Sequence, residues 1–285
     1  MSRAGRVAGL VVLVSLLGLV GAGAALLARL AGDDEPAATT TLAAPPRPLR
    51  IVFPEGFTRT EMAARVTAVN EIAKRRRHVQ PRLSELAYLR ATARSKLPAR
   101  FAGDGKRRSL EGFLFPATYE FLPATTSTQL VRKQLSAFRR AWAKLDLGYA
   151  RSRNLTGYDV LIIASMIEKE AVAPEERKLI AAVIYNRLKA GMALGIDATI
   201  RYGLNVPGTQ ALRQSQLDDP NPYNTRIHRG LPPTPIANPG LPSLRAAAHP
   251  ARVGYLYFVR KPDKVHHFFT ASYRDFVNYK NAHGY

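Results

Sequence analysis

The sequence predicts an α+β fold standing behind a single membrane-crossing helix. Three observations carry that prediction. Ala8 to Ala28 holds no charged residue and is about as long as a helix must be to cross a bilayer. Beyond it, apolar residues recur at helical spacing over several stretches, with short strand-like runs rich in aromatic and β-branched residues among them. The rest of the 285-residue chain is long enough for a sizeable core and most naturally divides into two units.

Arg3 and Arg6 precede the apolar run, and Asp33, Asp34 and Glu35 follow it closely after Arg29. Positive flanks stay in the cytoplasm, so residues 1–30 are expected to be a cytoplasmic N-terminus and transmembrane anchor, with the bulk of the chain outside. The rival is a cleaved signal peptide with small residues near Gly23 and Ala25, but the apolar run is long for one. Residues 31–48, rich in Ala, Thr and Pro, read as an extended linker. Residues 49–105 open a small unit: LRIVF is an apolar strand, Pro54-Glu55-Gly56 a turn, and Thr58 or Thr60 the cap of a helix. Residues 106–285 form the larger unit. Helices are expected around Thr128–Leu145, Tyr158–Ala171, Pro174–Ala190 and Ser243–His249, and the clearest strand is Tyr255–Val259. Thr156 and Asp159 cap the second of these helices. Pro174, Glu175 and Glu176 suit the first turn of the third, and Gly191 its C′ position.

The stretch LIIASMIEKEA, Leu161 to Ala171, sets acidic groups at the end of an almost wholly apolar helix. Val160 to Ile167 is apolar all round except Ser165, so this helix should be buried on most sides. Glu168 would stack over Ala164 and Leu161, partly desolvated, a setting in which a carboxylic acid can hold a proton near neutral pH. Periodicity does not exclude Glu170, which would stack over Met166, Ile167 and Ile163. The bland alternative is a charged helix end that merely meets water.

Several separated blocks then occur in a fixed order: LEGFLFPATYEF at Leu110–Phe121, ASMIEKEA at Ala164–Ala171, YNRL at Tyr185–Leu188 and YNT at Tyr223–Thr225. GLPPTPIANPG at Gly230–Gly240, AAAHPA at Ala246–Ala251 and YLYFV at Tyr255–Val259 follow. As an ordered set, from about Leu49 to near the C-terminus, they resemble the endolytic murein transglycosylases, the YceG-like (MltG) family. That resemblance implies that residues 49–105 are a small LysM-like module and residues 106–285 the catalytic domain. It implies that Glu168, the first Glu of the EKE motif, is the catalytic acid. The chain departs from the family in three places: LGIDATI keeps Asp197 and Thr199 but lacks a Gln, a Ser and a Pro; Ala117 stands where Asp is common; and YRDF replaces an acidic-His-Asn group.

The activity implied is cleavage of the β-1,4 bond between N-acetylmuramic acid (MurNAc) and N-acetylglucosamine (GlcNAc) in nascent peptidoglycan strands. The muramyl C6 hydroxyl attacks its own anomeric carbon to leave a 1,6-anhydro end, with a role in cell wall assembly. Because the nucleophile belongs to the substrate, one carboxyl can serve as acid and then base, whereas ordinary glycosidases pair two. Candidates for holding the glycan are Tyr185, Asn186, Tyr223, Asn224 and Thr225, with Tyr185 equally readable as core. Glu111, Asp197 and Thr199 complete the candidate substrate-binding set; Glu111 is as readily a turn-fixing residue, and Glu111 or Asp197 as a second carboxylate would make a hydrolase. A third reading is a catalytically silent wall-binding or scaffolding protein of the cell-wall machinery.

His266 and His267 precede Phe268 in a strand-like block, where one should face inward as a structural residue. The chain has no Cys, no HExxH and no Gly-rich phosphate loop, so neither metal nor cofactor is expected. Lys and Arg number 42 against 21 Asp and Glu, a formal +21 with basic runs at Lys74–Arg77, Lys106–Arg108 and Arg139–Arg140. Export to the outer face of a bacterial cell membrane removes nucleic acid as a partner. It leaves anionic lipid, the acidic wall, glycan strands and peptidoglycan synthases as the expected ones.

Overall fold

The structure, a computed structural model, describes residues 47–93, 97, 98, 101 and 108–285. The anchor expected over 1–30 and the linker over 31–48, apart from Arg47 and Pro48, lie outside the described residues. Among the described residues no helix is long and apolar enough to cross a membrane.

Strand β1 (Leu49–Val52) leads through a turn at Glu55 and Gly56 into helix α1 (Arg59–Arg77), then α2 (Glu85–Ala93), β2 (Thr118–Phe121) and α3 (Ser127–Trp142). A short α4 (Gly148–Arg151) precedes α5 (Gly157–Glu170), a 3-10 turn at Pro174–Glu176, and α6 (Arg177–Lys189). The chain continues with α7 (Asp197–Leu204), α8 (Gln214–Leu217), α9 (Leu241–Ala248), the hairpin β3 (Tyr257–Arg260) and β4 (His267–Thr270), and α10 (Tyr273–Ala282). The architecture is mixed α+β, as the sequence predicts.

Local chemistry sets the helix starts. Thr58 accepts from the Glu61 N–H while the Glu61 carboxylate accepts from the Thr58 N–H at 2.7 Å, a reciprocal cap for α1. Thr126 with Gln129 does the same for α3, and Thr156 with Asp159 for α5. The expected helix over 174–190 instead starts as a 3-10 turn, and Gly191 follows its end at φ +62. Helix α7 escapes sequence inspection because it is short and no side chain caps it.

Strands β1 and β2 pair antiparallel, Leu49 opposite Phe121 and Ile51 opposite Tyr119. These four face the core while Arg50 and Glu120 pair on the solvent side at 2.9 Å, the period of two expected of a half-buried ladder. The ladder joins residues on the two sides of the 105/106 boundary, and all described residues fall in one compact unit that runs to Tyr285. Its core is a single cluster from Leu49 to Ala247, with Phe53, Tyr88, Phe113, Phe138 and Leu161 fully enclosed. Helix α5 packs against α6 and α9, and every residue from Val160 to Ile167 is buried.

Candidate active site

The site grows out of the C-terminal end of α5. Ser165, the one polar residue in the apolar run, donates to the Ile162 carbonyl (2.7 Å) and accepts from the Ile236 N–H (3.0 Å). That bond fixes the proline-rich segment 230–240 over the helix. Gly112, at φ +85, allows the close approach: a Cβ there would sit 2.7 Å from the Pro235 ring.

Asn238, wholly buried, ties this segment to the start of the described chain. Its side-chain amide donates to the Phe57 carbonyl (2.9 Å) and to Glu111 Oε1 (2.8 Å), and its Oδ1 accepts from the Leu114 N–H (2.9 Å). Its backbone carbonyl accepts from the Gly56 N–H at 3.0 Å, so the turn after β1 rests on the segment leading into α9. Glu111, equally buried, accepts from the Arg59 N–H at 2.9 and 3.1 Å and from the Tyr202 hydroxyl at 3.2 Å. Burial pushes its carboxyl up to about 7, against the pull of those donors.

Glu168 stands half-buried in the last turn of α5. Its Oε2 accepts from the Gly240 N–H at 2.9 Å, and its other oxygen takes no hydrogen bond from the described residues. The Glu55 carboxylate lies against the Cα of the same Gly240, where a Cβ would overlap it. Desolvation and then the Glu168 charge raise the Glu55 carboxyl above its ordinary range, with Arg177 pulling the other way. Glu170 faces a different neighbourhood, near the Ala198 N–H, Asp197, Arg260 and Arg201. Burial, then the Asp197 charge, pushes it up to about 7.

The model of the YceG-like family matches residues 29–282. The chain belongs to the YceG-like family. An endolytic murein transglycosylase of Bacillus subtilis is 32% identical over 216 residues, 74% of this chain and 59% of that protein. One from Streptococcus pneumoniae R6 is 34% identical over 228 residues, 73% of this chain and 40% of that protein. The chain thus spans about half the length of these relatives. The 2.6 Å crystal structure of a yceG-like protein from Listeria monocytogenes matches with a TM-score of 0.66 at 28% identity, covering 81% of this chain and 76% of that one.

In this YceG-like chain the expected glycan-contacting residues divide sharply. Tyr185 is core: it is buried and its hydroxyl donates to the Ala247 carbonyl at 2.9 Å, joining α6 to α9. Asn186 donates to the carbonyls of Val253 and Tyr255 (2.9 and 2.8 Å) and so aligns the approach to β3. Asn224 is buried and gathers the Leu217 and Asp219 carbonyls, both at 2.8 Å. Thr199 and Thr225, also buried, meet each other at 3.0 Å. Each of these side chains makes its hydrogen bonds within the fold. Asp197 is bound to Arg226 at 2.7 Å, and Glu111 is enclosed, so neither stands free as a second carboxylate. Tyr223 remains partly exposed, its hydroxyl 2.9 Å from Thr234 and its ring against Tyr202.

Sequence inspection missed Glu55, Asn238 and Gly240. Glu55 reads as a turn residue and Asn238 as part of a proline-flanked loop; only the tertiary contacts bring them to Glu168 and Glu111. His267 is buried against Glu176, Nδ1 to Oε2 at 2.6 Å, while His266 is half-buried beside Asp263. Among the described residues no three His, Cys, Asp or Glu side chains gather as a metal site.

Proposed function

We propose that this YceG-like chain is a membrane-anchored endolytic lytic transglycosylase of nascent peptidoglycan, with Glu168 as its acid and base. One observation carries the reading: half-buried Glu168 ends a buried helix with one carboxylate oxygen fixed by the Gly240 N–H and the other taking no hydrogen bond from the described residues. The names of the Bacillus and Streptococcus relatives support the substrate and the reaction. Glu168 protonates the glycosidic oxygen as the C1–O4 bond breaks, and the muramyl C6 oxygen closes on C1. The C6 hydroxyl proton then passes to Glu168, so the acid is regenerated and no water is consumed. The Gly240 N–H stabilises the carboxylate between the two transfers.

Residues 1–30 would anchor the chain in the cell membrane with the site outside, near the synthases that make its substrate. Residues 49–105, which carry β1, α1 and α2, would be the LysM-like module. The test is a digest of un-crosslinked glycan strands by the full chain in detergent, read by mass spectrometry. Wild type and Glu170→Gln should give anhydro ends, and Glu168→Gln none, a loss of at least about a hundredfold for a missing general acid. Reducing ends, heavier by one water, would make the protein a hydrolase; no product from wild type would favour the wall-binding alternative.

A further inference from the structure

The fold carries Glu55 to the cleavage site from the opposite end of the described chain. The turn that holds it is pinned on three sides. The Gly56 N–H donates to the Asn238 carbonyl at 3.0 Å, the Asn238 N–H to the Phe57 carbonyl at 3.0 Å, and Lys169 Nζ to the Gly56 carbonyl at 3.3 Å. Gly56 sits at φ +78, which favours glycine, and a Cβ on it would meet Glu168 Cγ at 3.6 Å. Glu55 and Glu168 therefore converge on Gly240: Glu168 accepts its N–H, and the Glu55 carboxylate lies so close to its Cα that a Cβ would come within 2.7 Å of Oε2 and overlap Oε1. No N–H or O–H of the described residues donates to the exposed Glu55 carboxylate.

We propose that Glu55 is the second carboxylate of the cleavage site, a positioning residue that acts through Glu168 by making the pair share one proton. The proposal rests on the role of Glu168 given above. Two adjacent carboxylates do not readily ionise together, and such a pair titrates as a unit. The charged groups facing it are Lys169 on α5, which grips the turn, and Arg177 at the start of α6, held by Nε to Ser243 Oγ at 3.2 Å; α9 presents the Gly240 N–H. The shared proton is the one the leaving glycosidic oxygen takes as C1–O4 breaks. As C1–O6 forms, the C6 hydroxyl proton returns to the pair, which restores its single proton without water or a co-reactant. Glu55 differs from the flanking carboxylate of a hydrolase in standing beside the acid on one residue, Gly240, rather than supplying a nucleophile.

The experiment is the pH dependence of kcat/KM for un-crosslinked glycan strands with the full chain in detergent. Glu55→Gln should lower kcat about tenfold or more at neutral pH, as weakened acid catalysis does, with KM held. Its alkaline limb should move about one unit toward lower pH, because the neighbouring charge that retained the proton is gone. Glu55→Asp should restore most of both. Gly240→Ala, which displaces the flexible Glu55 carboxylate while leaving both acids in the chain, should shift the limb in the same direction. A Glu55→Gln profile that matches wild type overturns the proposal. So does a loss of activity that Glu55→Asp fails to rescue and that follows a lowered Tm. Carbon-13 titration of the glutamate carboxyls separates the pair from the reaction: Glu55 should titrate lower in Glu168→Gln than in wild type. An unmoved Glu55 titration refutes the pair itself, whereas wild type that makes no anhydro ends refutes the cleavage role along with the reading of Glu168.

Discussion

The hydrogen bonds that Glu111 accepts join it to three parts of the chain: Arg59 at the start of α1, Tyr202 on α7, and Asn238 before α9. Its carboxyl is raised from 4.5 to about 7, chiefly by burial. A raised acid binds its proton more tightly folded than unfolded. Its stabilising contribution is therefore complete below about 4.5 and is lost as pH rises through about 7. Glu170 carries the same sign over the same window. The wild-type Tm should accordingly fall between pH 4.5 and pH 7.5 by several degrees. Glu111→Gln keeps one acceptor oxygen but cannot ionise, so it should be less stable than wild type at pH 5 and yet lose less on going to pH 7.5. Thermal unfolding across that range checks it, and parallel slopes for the two proteins would show that Glu111 is not the group responsible.

Helix α5 was legible because its determinants are local: the Thr156–Asp159 cap, the apolar run and the acidic end are adjacent in sequence. The same holds for the caps of α1 and for Gly191. What was not legible depends on distant partners. Tyr185 and Asn224 look like ligand-binding residues until Ala247 and Leu217 are known to take their hydrogen bonds, and Glu55 looks like a turn residue until Gly240 is beside it. Two substitutions on α5 separate the local from the distant contribution. Thr156→Ala removes only the cap and should cost about 1 kcal/mol of stability with kcat unchanged. Ser165→Ala strands the buried Ile236 N–H and should cost about 1–3 kcal/mol. It should also lower activity and speed amide exchange at Ile236 and Gly240, because that bond seats the segment carrying Asn238 and Gly240. Denaturant titration with hydrogen exchange distinguishes them; equal exchange in both variants would mean that Ser165 does not hold the segment.

The β1–β2 ladder and the core cluster join described residues on both sides of 105/106, and a prediction for the whole molecule follows. Without residues 1–105, β2 loses its only described ladder partner, and Tyr119 loses the Phe53 ring it packs against. Gln134 loses the Tyr88 hydroxyl, which donates to it at 2.7 Å in the buried space between α2 and α3. Glu111 loses the Arg59 N–H, and Asn238 loses both its carbonyl partner at Phe57 and the Gly56 N–H. Each loss leaves a buried polar group unpaired or a large ring exposed, and these are the changes that cost most in a core. Residues 106–285 alone should therefore fail to unfold as one cooperative transition and should lack a native near-ultraviolet spectrum, despite carrying Glu168. Supplying residues 1–105 as a separate chain should restore both, since the ladder, the aromatic contacts and the Glu111 hub require proximity rather than a peptide bond. Cooperative unfolding of 106–285 by itself would establish instead that the N-terminal module is an accessory laid on a finished domain. Glu55 would then be a visitor to the site rather than part of its construction.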